Sequence, residues 1–258
     1  MKSLSLLAAA CGALVLACAS PAGAIVIDAT FDANFTPDRE ACAQAAIDQW
    51  DATITNSYTF SNVRLLIMDL SFLGNPLAAT NISSGAYQPL GAQDEGIRGT
   101  GWESFGTPLV PWGTDTYITI ALNTTYVNQM YFGLAEAVPG GEYDALTILR
   151  HELCHAVGFA EEYAALGTKL TPGPGSDRTY NGNGFTVEMT PASNGTHLVG
   201  YSNDLMNATL GTGVRRDISD APDLRILMDA YGYTTPEPAT LVMLTIGGLV
   251  AIRRRRAA

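Results

Sequence analysis

Histidine is scarce in this chain, with three in 258 residues. Basic residues are few as well, 14 Lys and Arg against 25 Asp and Glu, for a formal charge of −11 at pH 7. The imbalance deepens away from the ends: residues 25–235 hold 9 basic and 24 acidic side chains, a formal charge of −15. Such a chain repels phosphate backbones, which argues against nucleic acid as a partner; it favours solubility outside a cell and tilts only weakly toward basic or neutral substrates. Cysteine is limited to four, and Cys11 and Cys18 fall at the very start. The remaining Cys42 and Cys154 permit at most one disulfide in an oxidising compartment, tying an early helix to a later one; a buried free thiol is the alternative. No internal repeat or heptad pattern appears, which removes solenoids and coiled coils.

The apolar runs at the two ends read as addresses, not as fold. Residues 1–24 begin with Lys2, continue apolar from Leu4 to Ala17 and close on Ala22-Gly23-Ala24, the pattern of a secretory signal cleaved after Ala24. A second reading takes Val15-Leu16-Ala17-Cys18 as a lipoprotein box with Cys18 lipidated; either way the domain is exported. Residues 234–258 contain Pro236-Glu237-Pro238, an apolar stretch from Ala239 to Ile252, and Arg253 to Arg256. The stretch is short for a full span, though flanking residues and snorkelling arginines extend it, and the arginines keep to the cytoplasmic side. This order resembles the bacterial PEP-CTERM sorting signal. The resemblance implies recognition by an exosortase-type enzyme, membrane contact through the C-terminal helix at least transiently, and a final place in the cell envelope or extracellular matrix. A plain tail anchor with a chance Pro-Glu-Pro is the alternative.

Residues 25–233 then form one catalytic-sized domain. Ile25 to Phe31 alternates like a strand, and Thr36-Pro37 offers a cap with proline at the first helical position. Ala43, Ala46, Ile47, Trp50 and Ile54 recur at helical spacing, predicting a helix with one face on a sheet. Val63 to Phe72 is the next strand, residues 74–114 read as loops with a short strand at most, and Tyr117 to Leu122 is a further strand. Gly140-Gly141 breaks the chain, and the spacing predicts a helix from Tyr143 to Val157, ended by Gly158. Residues 166–200 read as loop. A final helix is expected from Ser219 to Tyr231, burying Leu224, Leu227, Met228 and Tyr231. The fold class is α+β: a twisted mixed sheet, a central helix, and a loop-rich C-terminal subdomain ending in a helix.

The three histidines are His151, His155 and His197. Residues four apart stand one above the other on a helix, so His151 and His155 point both imidazoles at one place. Glu152, one step round, reaches the same side without being a ligand, where a general base for metal-bound water belongs. A catalytic zinc takes three protein ligands and keeps a fourth position for water. The third candidates are Glu161, its neighbour Glu162, and His197; Gly158 lets the chain turn back under the metal in each case. His197 is preferred because imidazole suits zinc and no other histidine exists.

From His151-Glu152-Leu153-Cys154-His155-Ala156-Val157-Gly158-Phe159 through His197 to Asp204-Leu205-Met206, the chain resembles the leishmanolysin-type branch of the metzincins. The resemblance implies a zinc-dependent endopeptidase of zincin fold, with a sheet-and-helix half and an irregular half divided by a substrate cleft, and makes Met206 the methionine of the Met-turn. Glu161 at the usual third-ligand position departs from that pattern. No tyrosine follows Met206 closely, Tyr163 and Tyr201 being merely nearby, and no inhibitory propeptide is evident before the first strand. In a zinc protease the strand beside the active-site helix, here Tyr117 to Leu122, is expected to be an edge that takes protein or peptide substrate as an added strand. The expected function is therefore an exported zinc metallopeptidase. The rival is a non-catalytic, zinc-stabilised surface or matrix protein, in which Glu161 and His197 both close the site.

Overall fold

The computed structural model describes residues 25–55, 59–82, 118–135, 137–161, 163–173, 177–191, 196–218 and 222–235. The predicted signal, the sorting signal from Pro236 onward and the Ser219 cap lie outside these. Among the described residues no helix is long and apolar enough to cross a membrane.

The protein mixes α and β structure around a mixed four-stranded sheet. Its strands are β1 (Val26–Phe31), β2 (Thr59–Met68), β3 (Ala78–Ile82) and β4 (Ile118–Asn123), in the order β1-β2-β4-β3. The first three in that order run parallel and β3 is antiparallel to β4. All six residues of β4 are buried, as expected of a strand flanked on both sides and covered on both faces. The period of two sorts them: Val63, Leu65, Ile118, Ile120 and Leu122 face the main core, whereas Leu66 and Ala121 join Leu70 in a small cluster on the other face.

This sheet corrects two expectations. Among the described strands, the one at 118–123 is interior, and the edge beside it is the antiparallel Ala78–Ile82 strand, the short strand that composition allowed within residues 74–114. The second strand also starts and ends earlier than expected, because the chain turns into a 3₁₀ segment at Ser71–Leu73.

Helix α1 (Pro37–Thr53) starts on extended Thr36 with proline at its first turn and acidic Asp38 and Glu40 at its positive end. Its buried face is Cys42, Ala43, Ala46, Ile47 and Trp50. Trp50 carries this face onto helix α2 (Ala145–Ala156), where its Nε1 donates to the Arg150 carbonyl at 2.9 Å. Helix α2 begins two residues later than predicted, since Tyr143–Asp144 (β6) pairs with Met130–Tyr131 (β5). Asp144 caps it, accepting from Thr147 N at 3.1 Å and Thr147 Oγ1 at 2.6 Å. A fully buried Asp144 is tolerated because Arg215 Nη2 pairs with it at 2.6 Å.

The exit of α2 is closed by three phenols. A helix end leaves carbonyls without intrahelical partners. Here Tyr163, Tyr233 and Tyr231 donate to the carbonyls of Ala156, Val157 and Gly158 at 2.8, 2.9 and 2.7 Å. Gly158 sits at φ +126°, and a Cβ there would lie 2.7 Å from the Tyr231 ring, so glycine is required twice over. Tyr231 closes helix α4 (Pro222–Tyr231), which buries Leu224, Ile226 and Leu227, while Met228 and Tyr231, expected to be buried, are only partly so.

The stretch expected to be loop is instead a short helix α3 (Ala164–Gly167) and an antiparallel sheet of β7 (Leu170–Pro172), β8 (Arg178–Gly182) and β9 (Phe185–Met189). Asn183-Gly184 makes the β8–β9 hairpin, with Gly184 at φ +79°. Cys42 and Cys154 do not pair; both are buried and free. Burial pushes both thiols up, Cys42 to about 12, so each behaves as a small apolar side chain.

Candidate metal centre

Ten of the twelve residues of α2 are buried, and the two that keep some exposure are His151 and His155. His151 borders a cleft of about 410 Å³ that it shares with Glu152, His197, Tyr126, Leu205 and Arg216. His197 meets the pair from the other side: its Nε2 is 3.2 Å from His151 Nε2, which is 3.2 Å from His155 Nε2. The three histidines form the only cluster of potential ligand atoms among the described residues that can hold a metal ion.

The second contacts of two rings fix which nitrogen is available. His151 Nδ1 lies 2.7 Å from the Leu205 carbonyl, and His155 Nδ1 lies 2.7 Å from the Phe159 carbonyl. A carbonyl only accepts, so each Nδ1 carries the proton and each Nε2 presents a lone pair. Burial, then the neighbouring histidines, drives both imidazoles toward neutrality, His151 down to about 3 and His155 well below its ordinary value. Two lone pairs at 3.2 Å repel unless a cation lies between them.

Position is set by both parts of the chain. His197 is held between strand and turn: its N–H donates to Thr190 Oγ1 at 3.1 Å, and its carbonyl accepts from Thr190 N at 3.0 Å. The next residue, Leu198, bridges to Met189 of β9 and to Asn207. Asp204 to Asn207 forms a turn in which Met206 N donates to Asp204 Oδ1 at 3.2 Å. That turn buries Met206 completely and aims the Leu205 carbonyl at His151. Glu161 takes no part in the cluster; its carboxylate pairs with Arg178. Glu162 lies outside the described residues. Of the tyrosines, Tyr163 is committed to the Ala156 carbonyl, and Tyr201 is exposed.

Glu152 is buried next to His151 and lines the same cleft. Burial raises its carboxyl to about 7, against the opposing hydrogen bond from Thr80. The Thr80 hydroxyl is 2.7 Å from Glu152 Oε2 and 2.9 Å from the Glu152 carbonyl, linking the edge strand β3 to α2. A carboxyl poised near neutrality can take and return a proton.

Sequence reasoning missed the cleft's other wall. Asn75 sits at φ +66°, the one described non-glycine residue with positive φ, a strained conformation that its surroundings must enforce. Asn123 does so: its Nδ2 reaches Asn75 Oδ1 and the Pro76 carbonyl, both at 2.7 Å. Asn75 Nδ2 in turn donates to Tyr126 OH at 3.2 Å. The Asn-Pro dipeptide is a legible turn signal; its partner Asn123 is not. Arg216 was missed too, although a domain with so few cations invites the question asked of its histidines.

No protein-family model matches the sequence, and neither the curated proteins nor the solved structures compared with it include a match.

Proposed function

We propose that the protein is an exported zinc-dependent endopeptidase of zincin type, with His151, His155 and His197 as metal ligands and Glu152 as general base. The observation that carries this reading is the convergence of three Nε2 atoms beside a buried, unligated carboxyl. Zinc fits the donor set. All three donors are imidazoles, and a tetrahedral zinc with bonds of about 2.0–2.1 Å keeps its ligand nitrogens on the order of 3.3 Å apart, close to the spacing seen here.

Zinc bound there would supply Lewis acidity toward a scissile carbonyl and toward water. The protein's own residues do the rest. Glu152 accepts the proton of the attacking water and delivers it to the leaving amine, with Thr80 holding its carboxylate in place. Leu205 and Phe159 lock the ring orientation of His151 and His155. The antiparallel edge strand β3 borders the cleft through Ala78. Its outer backbone groups are suited to holding an extended peptide as an added strand. The expected Met-turn role of Met206 is supported by the turn beneath His151.

A structural site in an inert surface protein has less support, because Glu161 is turned away toward Arg178 and a structural metal has no use for a buried carboxyl raised to about 7. The test is zinc content and casein cleavage by the full-length protein beside Glu152→Gln. We expect one zinc per molecule in both and a loss of about 10²–10⁴ in turnover in the variant. Equal cleavage by both would remove the assigned base, and absence of zinc would remove the site.

A further inference from the structure

Arg216 is the only cation among the described residues that line the cleft. Its backbone is fastened to the first turns of α2. The Arg216 N–H donates to Thr147 Oγ1 at 2.8 Å, and its carbonyl accepts from Arg150 Nη1 at 2.6 Å. Arg150 is itself held by Asp217, and Gln49 accepts from its Nε.

The guanidinium is less well provided for. Arg150, Lys169, Arg178 and Arg215 each have a carboxylate in contact. Arg216, only 8 % exposed, makes no ion pair among the described residues. Its Nη2 donates to the Thr209 carbonyl at 2.6 Å, and its buried Nε has no acceptor. Asp204 attracts it through space but is itself hydrogen-bonded to Asp223. A buried cation with a donor to spare is costly unless something else completes it.

We propose that Arg216 determines specificity: the cleft beside the three histidines receives a substrate carboxylate, from an Asp or Glu side chain or from a peptide's free C-terminus, on the Arg216 guanidinium. The location rests on the peptidase reading above; the recognition itself does not. Thr147 precedes His151 by four residues, about 6 Å along the helix axis. The Arg216 backbone is anchored at that turn and the residue lines the same cleft as His151; because an extended peptide advances about 3.3 Å per residue, the guanidinium serves a residue a few positions from the bond cleaved. Planar, fork-shaped donors suit a carboxylate better than any other common peptide group. The net negative charge of the protein opposes acidic peptides only at long range, and salt screens that opposition while leaving a buried contact intact.

The experiment is equilibrium binding to the full-length protein with chelator present, so that nothing is cleaved. The probes are short alanine peptides carrying one glutamate at each position in turn, their glutamine counterparts, and the same peptides with free or amidated C-termini. We expect glutamate at one position to bind roughly tenfold tighter than glutamine, with the gap kept at high salt, reduced in Arg216→Lys, which keeps the charge without the fork, and lost in Arg216→Gln. A gap that follows the free C-terminus instead assigns the carboxylate to the peptide's end. Equal binding of every glutamate and glutamine pair, with no effect of amidation, overturns the proposal from the parent alone, whether or not Arg216→Gln folds. A glutamate preference without casein cleavage by the zinc-loaded protein would remove the peptidase reading and leave this subsite. Casein cleavage without the preference would do the reverse.

Discussion

The two parts that meet at the histidines are built on different principles. The first, β1 to β4 with α1 and α2, is a covered sheet whose core residues recur at regular spacing; it gives two ring nitrogens and a carboxyl from one rigid helix. The second, β7 to β9 with the turn at 204–207 and helix α4, is made of short strands and single bridges, and it gives one ring nitrogen. The first part holds its groups by packing, Trp50 under Arg150 being the pivot. The second holds His197 by a pair of hydrogen bonds to Thr190 and the bridge at Leu198. A site shared this way has a stable platform and a third imidazole whose position depends on local backbone contacts.

Breaking the platform should therefore cost more than breaking the loop. Trp50 is fully buried, and Trp50→Ala removes its ring and its hydrogen bond, an expected loss of about 3–5 kcal/mol of stability, read from urea unfolding. Zinc affinity should fall with it, because α2 rests on that ring. His197→Ala should separate the two parts. We expect zinc to bind more than about 100-fold more weakly, beyond the usual cost of losing a supporting contact, with the unfolding midpoint of the metal-free protein nearly unchanged. A chelator-competition titration beside that midpoint checks both; a large drop in metal-free stability would mean that the second part depends on the imidazole itself.

The smallest effect concerns the joint between the turn and α4. Asp204 and Asp223 are buried together, and burial raises Asp223 to about 8, the neighbouring Asp204 adding to it. The folded protein thus holds a proton that the unfolded one, with an ordinary value of 3.8, releases. The contribution of Asp223 to the stability of the metal-free protein should fall as pH rises from about 4 to about 8 and level off above, read as the difference between the parent and Asp223→Asn. Asp223→Asn should flatten that slope; an unchanged slope in urea midpoints across this range would show that the pair does not share a proton.

Legibility in the sequence follows the same division. The spacing of Ala43, Ala46, Ile47 and Trp50 marks the buried face of α1 because a helix wrapped on a sheet repeats its burial every turn. Thr36-Pro37 and Gly158 mark helix ends because the backbone chemistry there is local. Three-residue strands such as β7 carry too few residues to show a period, so Leu170 to Met189, rich in Gly, Pro and Asn, reads as loop. The edge is misassigned for another reason: Tyr117 to Leu122 has the composition of a strand, but which neighbours it acquires depends on Ala78–Ile82 arriving from far away in the sequence.

Sequence alone decides the pairing of His151 with His155 and the side on which Glu152 stands, since a helix of fixed pitch leaves no choice. It also makes His197 the preferred third candidate, as the one histidine left, while leaving Glu161 and Glu162 open. Everything else about the site depended on the fold. Folding brought His197 to 3.2 Å from His151, turned Glu161 toward Arg178, set Thr80 against Glu152, and placed Arg216 in the cleft. Each of these unites residues distant in the sequence or chooses between two side chains of equal chemistry. Such choices are made by packing and hydrogen bonding across the whole domain, which no local spacing encodes.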